Sequence, residues 1–204
     1  ISEHPNIRIV RTIFADWLRD RAEDRLKEIL KEEPDVDVIF AQNDPMAYGA
    51  FKAARELGLD DIRFVGIDGL LGSEGGLELV RQGVLTGTFT CSTGGTEAFQ
   101  YALDILNKSS GIPKKIILRS DKVTLANVEE QMRKLREPPA NTKVDPKTLT
   151  VGFSQLGTET EWRRANTESI LAAARKSGIR LLYQNANGSQ DAQIASLRDF
   201  IRQR

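Results

Sequence analysis

The sequence predicts an α/β protein built on parallel sheets, and three observations carry that prediction. Two apolar runs stop abruptly at polar residues: VIFAQNDPMAYG breaks at Asn43 and Asp44, and FVGIDG breaks at Asp68. A buried parallel strand reads this way where its C-terminal end opens onto a ligand crevice. Strand and helix patterns then alternate over most of the chain, as βαβ units with right-handed crossovers require. Punctuating residues fall at the boundaries, with Pro45 at a helix start and Gly58 and Gly178 at helix ends.

In chain order, Ile7–Ile13 reads as a strand and Arg19–Lys31 as a charged amphipathic helix with Leu26, Ile29 and Leu30 on one face. Val36–Ala41 is the next strand. Pro45–Leu57 follows as a helix, with Asp44 expected as its N-cap and Pro45 at its first position. Ile62–Ile67 is a strand, and the glycine-rich loop Leu70–Gly76 leads to a short helix, Leu77–Arg81. Thr86–Thr90 reads as a strand, Thr96–Leu106 as a helix, Ile116–Leu118 as a short strand and Val128–Leu135 as a short helix. Arg136–Lys147 (REPPANTKVDPK) is polar, carries three prolines and has no periodicity, so a linker is expected there. Beyond it the rhythm resumes: strand Leu149–Ser154, helix Glu161–Lys176, strand Ile179–Gln184 and helix Ser189–Arg202.

Composition excludes several function classes. With 40% hydrophobic and 28% charged residues among 204, the chain can bury a real core. Lys+Arg and Asp+Glu both number 29, so there is no electrostatic footprint for nucleic acid or an anionic membrane. Cys91 is alone, which forbids an internal disulfide. No apolar run approaches the roughly 20 residues of a membrane span. The opening residues, ISEHPNIRIV, read as a loop entering a strand rather than a signal peptide, so the chain is expected to begin inside a fold.

Enzyme chemistry finds little support. Gly66, Gly69 and Gly72 follow the aspartate strand in a GxxGxxG spacing, a poor match to a dinucleotide-binding turn, and Leu70–Gly76 lacks the Lys-Ser/Thr of a P-loop. One Cys and one His (His4) offer no metal set and no partnered nucleophile. No catalytic residue, metal or cofactor is expected. A parallel sheet instead brings the tips Asn43, Asp44 and Asp68 to one place, as a small-molecule binder would have them.

FAQNDPMAYGAFKAARELG together with FVGIDG resembles the second half of the type I periplasmic sugar-binding proteins, the ribose-, galactofuranose- and fructose-binding group. TVGFSQLGTETEWRRANTESILAAARKSGIRLLY resembles the opening strand–helix–strand of the same family. The resemblance implies two Rossmann-like lobes with parallel sheets joined by a hinge, with the ligand clamped between them. On that pattern residues 1–92 and 119–136 form the second lobe, residues 93–118 and 149–204 the first, and residues 137–148 a linker. The order departs from the family: the late half precedes the early half, and the middle units, including the first strand of the second lobe, are missing. A permuted and truncated chain, a fragment straddling two tandem domains and a reordered sequence are all open readings. A sheet with unprotected edges is expected to seek a partner strand.

A sugar site needs planar polar groups for paired hydroxyls and aromatic rings for the apolar C–H faces. Asn43 donates and accepts at once, and Asp68 accepts from two hydroxyls. Trp17, in FADWLRDR, takes the place of a stacking aromatic in the family, and Trp162 with Arg163 resembles the matching wall and clamp of the other lobe. Each has a plainer alternative. Asp44 is favoured as a helix cap and Asn43 as a ligand contact; Asp68 stands as a contact against a turn role, and Trp17 equally as a half-exposed core aromatic. Ser154 and Gln155 end a strand and stand equally as contacts or as local structure. Cys91, followed by Ser92 and Thr93, falls where relatives present a longer side chain, and a thiol is a weak donor. The loop LLGSEGG is closer to the galactofuranose- and fructose-binding members.

The resemblance thus implies a periplasmic or extracytoplasmic binder of a pentose or hexose, furanose forms included, working with an ABC permease. The alternatives are the sugar-sensing domain of a hybrid sensor kinase and the effector-binding core of a LacI-type regulator. No nucleic-acid partner is expected for this segment.

Overall fold

Four strands of three residues each make the larger sheet: β1 (Val38–Phe40), β2 (Arg63–Val65), β3 (Gly87–Phe89) and β4 (Lys122–Thr124). The architecture is that of a computed structural model, which describes residues 3–136 and 149–203. The chain divides into two units, Ile1–Cys91 with Ser120–Glu137 and Ser92–Arg119 with Pro138–Arg204.

In the first unit the sheet order is β1-β2-β3-β4. β1 and β2 pair in parallel from Val38 opposite Arg63, β2 and β3 pair in parallel through Val65 and Gly87, and β4 lies antiparallel on β3. Helices α1 (Arg19–Glu32), α2 (Asp44–Glu56), α3 (Gly76–Arg81) and α5 (Val128–Arg136) belong to the same unit. α1 and α2 pack closely because α2 presents a small face of Ala47, Gly49, Ala50, Ala53 and Ala54, all buried. A Cβ at Gly49 would run into the Arg19 carbonyl. Leu30, Leu77, Leu79, Leu85 and Val123 fill the core beneath the sheet, each fully buried leucine contributing about 1.5–3 kcal/mol by leaving water.

The second unit holds a two-stranded parallel sheet, β5 (Thr150–Gln155) beside β6 (Arg180–Asn185), in register from Thr150 opposite Arg180 to Gln155 opposite Asn185. Helices α4 (Gly95–Leu106), α6 (Glu161–Lys176) and α7 (Gln190–Arg202) complete it. Phe99, Leu103, Ala174 and Ile179 form its core. Thr160 caps α6 by accepting from Arg163 N–H at 3.3 Å, and Ser189 caps α7 by accepting from Ala192 N–H at 3.2 Å.

The structure corrects three expectations and adds one strand. Ile7–Ile13 forms no strand: Ile7, Ile9 and Val10 are exposed, and the segment is held by side chains, with Arg11 on Glu33 at 2.5 Å and Arg25 on the Phe14 carbonyl at 2.5 Å. β propensity supplies no ladder without a neighbouring strand. Ile116–Leu118 is likewise exposed and outside any strand. β4 was not anticipated, since only Val123 of its three residues is buried. Finally, the N-cap of α2 is Asn43, not Asp44, and Pro45 follows Asp44 inside the helix. The expected linker, beyond Arg136, lies outside the described residues.

Candidate functional site

The C-terminal ends of β1, β2 and β3 in the first unit are tied by short-range chemistry that starts at Asn43. This residue is extended and buried; its Oδ1 accepts from Met46 N–H at 2.9 Å, satisfying a helix donor without an intrahelical partner. Its Nδ2 donates to the Trp17 carbonyl at 3.1 Å, so the loop before α1 is pinned to the end of β1. An amide keeps a second lone pair and a second N–H after these bonds. Trp17 itself is left-handed, with φ 58°, and the residue is 62% exposed.

Asp44 is the next link. It is 2% exposed. One carboxylate oxygen accepts from Gly69 N–H at 2.7 Å and the other from the Thr88 hydroxyl at 2.6 Å. Its own N–H donates to the Ile67 carbonyl at 2.7 Å. A Cβ at Gly66 or Gly76 would run into this carboxylate, so both glycines are required by close approach.

Asp68 lies at the end of β2, 8% exposed, with φ 120°. Its N–H donates to the Phe89 carbonyl at 2.9 Å, and its carbonyl accepts from Cys91 N–H at 2.9 Å. The backbone thereby brings Asp68 beside Cys91, whose side chain is exposed. Within this unit Trp17 is bonded to Asn43 and Asp68 to Cys91, and Asp44, next to Asn43, bonds Ile67 and Gly69 on either side of Asp68. Asp44, Thr88, Gly66 and Gly76 were missed as a group; the only sequence signal was the carboxylate following Asn43.

In the second unit, Gln155 is buried, and its Nε2 lies 3.1–3.2 Å from the Arg163 carbonyl, Asn166 Oδ1 and Thr167 Oγ1. Its Oε1 accepts from Leu156 N–H at 3.1 Å. With two N–H groups facing three acceptors, the amide orients the first turns of α6. Ser154 Oγ is buried and makes no hydrogen bond among the described residues. Trp162 and Arg163 occupy the first turn of α6 and are half-buried, with Arg163 paired to Glu159. Asn166 donates to the Thr93 carbonyl at 3.2 Å and anchors the segment entering α4. Among the described residues no cluster of three or more His, Cys, Asp or Glu could hold a metal ion, and no helix is long and apolar enough to cross a membrane.

A family model described as a periplasmic binding protein domain matches residues 1–111. The chain is 36% identical over 89 residues to the xylitol-binding protein of Mycolicibacterium smegmatis, covering 43% of this chain and 25% of that protein. Among solved structures, the fructose binding periplasmic domain of a hybrid two component system superposes with TM-score 0.61 at 36% identity, covering 66% of this chain and 45% of that one. An ABC transporter periplasmic solute binding protein of Actinobacillus succinogenes with bound D-allose gives TM-score 0.58 at 30% identity, covering 63% and 46%. The chain spans less than half the length of each of these relatives, all of them binding proteins or binding domains. Matched over more than half of its residues, the chain belongs to the periplasmic binding protein domain family.

Proposed function

We propose that this chain recognises a monosaccharide, a pentose or hexose with furanose forms included, as part of the substrate-binding component of an ABC sugar transporter. The observation that carries the reading is Asp68: a buried residue just beyond a parallel strand, whose neighbours Ile67 and Gly69 are bonded to Asp44, the residue after Asn43. A carboxylate accepts from two vicinal hydroxyls, an amide donates and accepts, and indole rings cover the sugar's C–H faces. The proposed contacts are Trp17, Asn43, Asp68 and Cys91 in the first unit, and Ser154, Gln155, Trp162 and Arg163 in the second. The names of the relatives, which bind xylitol, fructose and D-allose, support a polyol or sugar ligand. The working location is extracytoplasmic, and the partner is a membrane permease.

Calorimetric titration of the 204-residue chain with neutral pentoses, hexoses and polyols tests the reading. Saturable heat with one of them is expected, and its absence across the panel would overturn it. A second role is favoured by one observation: the solved relative with TM-score 0.61 is the fructose binding periplasmic domain of a hybrid two component system. In that case the same sugar site would report to a kinase instead of a permease.

A further inference from the structure

We propose that Asp44 is a positioning residue that holds Asp68 in a strained, ligand-ready conformation; the proposal rests on the monosaccharide reading above. Asp68 has φ 120°, a region that a side chain with a Cβ rarely adopts. Such a conformation persists only when its surroundings over-determine it. Three hydrogen bonds supply that determination here. The Asp68 N–H is bound to the Phe89 carbonyl at 2.9 Å, its carbonyl accepts from Cys91 N–H at 2.9 Å, and the following N–H, that of Gly69, donates to Asp44 at 2.7 Å. The first two bonds fix Asp68 against the strand on its far side. The third comes from a buried side chain at the start of α2.

The Asp44 carboxylate is itself immobilised. Thr88 donates to its second oxygen at 2.6 Å, and the carboxylate fills the space that a Cβ at Gly66 or Gly76 would need. A charge-assisted bond from a buried carboxylate is stronger than one between neutral groups. The turn at Asp68-Gly69 is therefore clamped by the helix that Asn43 caps. The cap orients Trp17 through its amide, and Asp44 orients Asp68 through the backbone. Adjacent residues thus set the two elements proposed to meet the ligand.

The test combines stability and affinity on the full chain. Asp68→Gly is expected to raise the apparent Tm, because glycine tolerates positive φ, while abolishing sugar binding. In an Asp44→Ala background that gain should fall by at least half. Equal gains in the two backgrounds would overturn the clamp. For affinity, Asp44→Ala should weaken sugar binding at least about tenfold, whereas Asp44→Asn, which retains an oxygen for Gly69 N–H, should stay within about threefold. Thr88→Val removes only the second bond: it should lower Tm yet leave affinity within about threefold. A merely structural Asp44 would make affinity follow stability across all three variants, and that result would overturn the proposal. If Asp44→Ala does not fold, Asp44→Ser replaces it in both arms, since serine can reach the helix backbone but not Gly69. If no sugar binds the wild-type chain, the sugar reading fails, and the Asp44–Asp68 stability cycle still decides the clamp.

Discussion

Lys52 on α2 places its ammonium 2.6 Å from one carboxylate oxygen of Glu23 on α1. Glu23 is only 8% exposed. Lys27 takes its other oxygen at 3.1 Å and continues to Glu56 at 2.7 Å, so four charges stitch the two helices together. The hydrogen bond from Lys52 holds the Glu23 carboxyl below the usual glutamate range, against an opposing push from burial and with help from Lys27. The same bond raises Lys52 above the usual lysine range.

The sign of the pH dependence follows. Glu23 binds its proton less readily when folded, so its contribution is complete above the unfolded glutamate value of about 4.3 and is lost as pH falls through the depressed folded value. Lys52 holds its proton more tightly when folded, so its contribution is complete below about 10.4 and is lost as pH rises through the raised folded value. Between these limits the pair's contribution is flat. Glu23→Gln should lower Tm by a few degrees at pH 7 and flatten the acid limb of the Tm–pH profile. An acid limb identical to wild type would show that the helices hold without the pair.

Much of this fold was legible because its punctuation is local. Pro45 and Gly58 bracket α2, Gly178 closes α6, and Ser189 opens α7, and these elements lie within one or two residues of expectation. The cap of α2 was misassigned because NDP offers two capping side chains in succession, and proline is accepted at either of the first two helical positions. Non-local pairing was illegible. Ile7–Ile13 has strand composition without a partner, while Lys122–Thr124 has little strand signal but finds β3. In the candidate site the strand tips could be read, yet the Thr88–Asp44 bond joins residues distant in sequence and leaves no local mark.

Gly66 should resist substitution for a steric reason. A Cβ there would overlap the Asp44 carboxylate and approach its backbone at 3.0 Å. Gly66→Ala is expected to cost about 1–3 kcal/mol, as overpacking does in a rigid interior. Gly58→Ala meets no atom within 4 Å and should cost only the positive-φ penalty, about 1 kcal/mol. Urea titration of both variants separates the two causes. Combining Gly66→Ala with Asp44→Ala should give less than the sum of the single losses, because the smaller side chain removes the overlap. Additive losses would locate the strain elsewhere.

Gly152 makes a parallel case in the second unit. A Cβ on this β5 residue would press on the Phe200 ring of α7, whose nearest atoms lie at 2.5–3.0 Å. The pairing lets α7 settle on the β5–β6 sheet, so Gly152→Ala should destabilise by about 1–3 kcal/mol. Adding Phe200→Leu should recover part of that loss by clearing the ring, although leucine packs less area. Recovery measured by chemical denaturation would confirm the contact. A further loss in the double variant would show that Phe200 holds α7 independently of Gly152.

Trp162 offers the sharpest test of the contacts proposed for the second unit. It sits on the first turn of α6, half-buried, beside Arg163 and below the Thr160 cap. In the proposed site its indole would cover an apolar sugar face, so its effect should scale with ring area. Trp162→Ala should lose at least about tenfold in affinity for the best monosaccharide, near 1.4 kcal/mol, while Trp162→Phe should lose about threefold or less. Arg164→Ala is the control: Arg164 is exposed and donates to the Thr158 carbonyl at 3.2 Å, so its loss should leave affinity unchanged. Calorimetry at one temperature ranks the three. Equal affinities for the alanine and phenylalanine variants would remove the ring from the sugar site, because a stacking surface cannot be indifferent to losing its π-face.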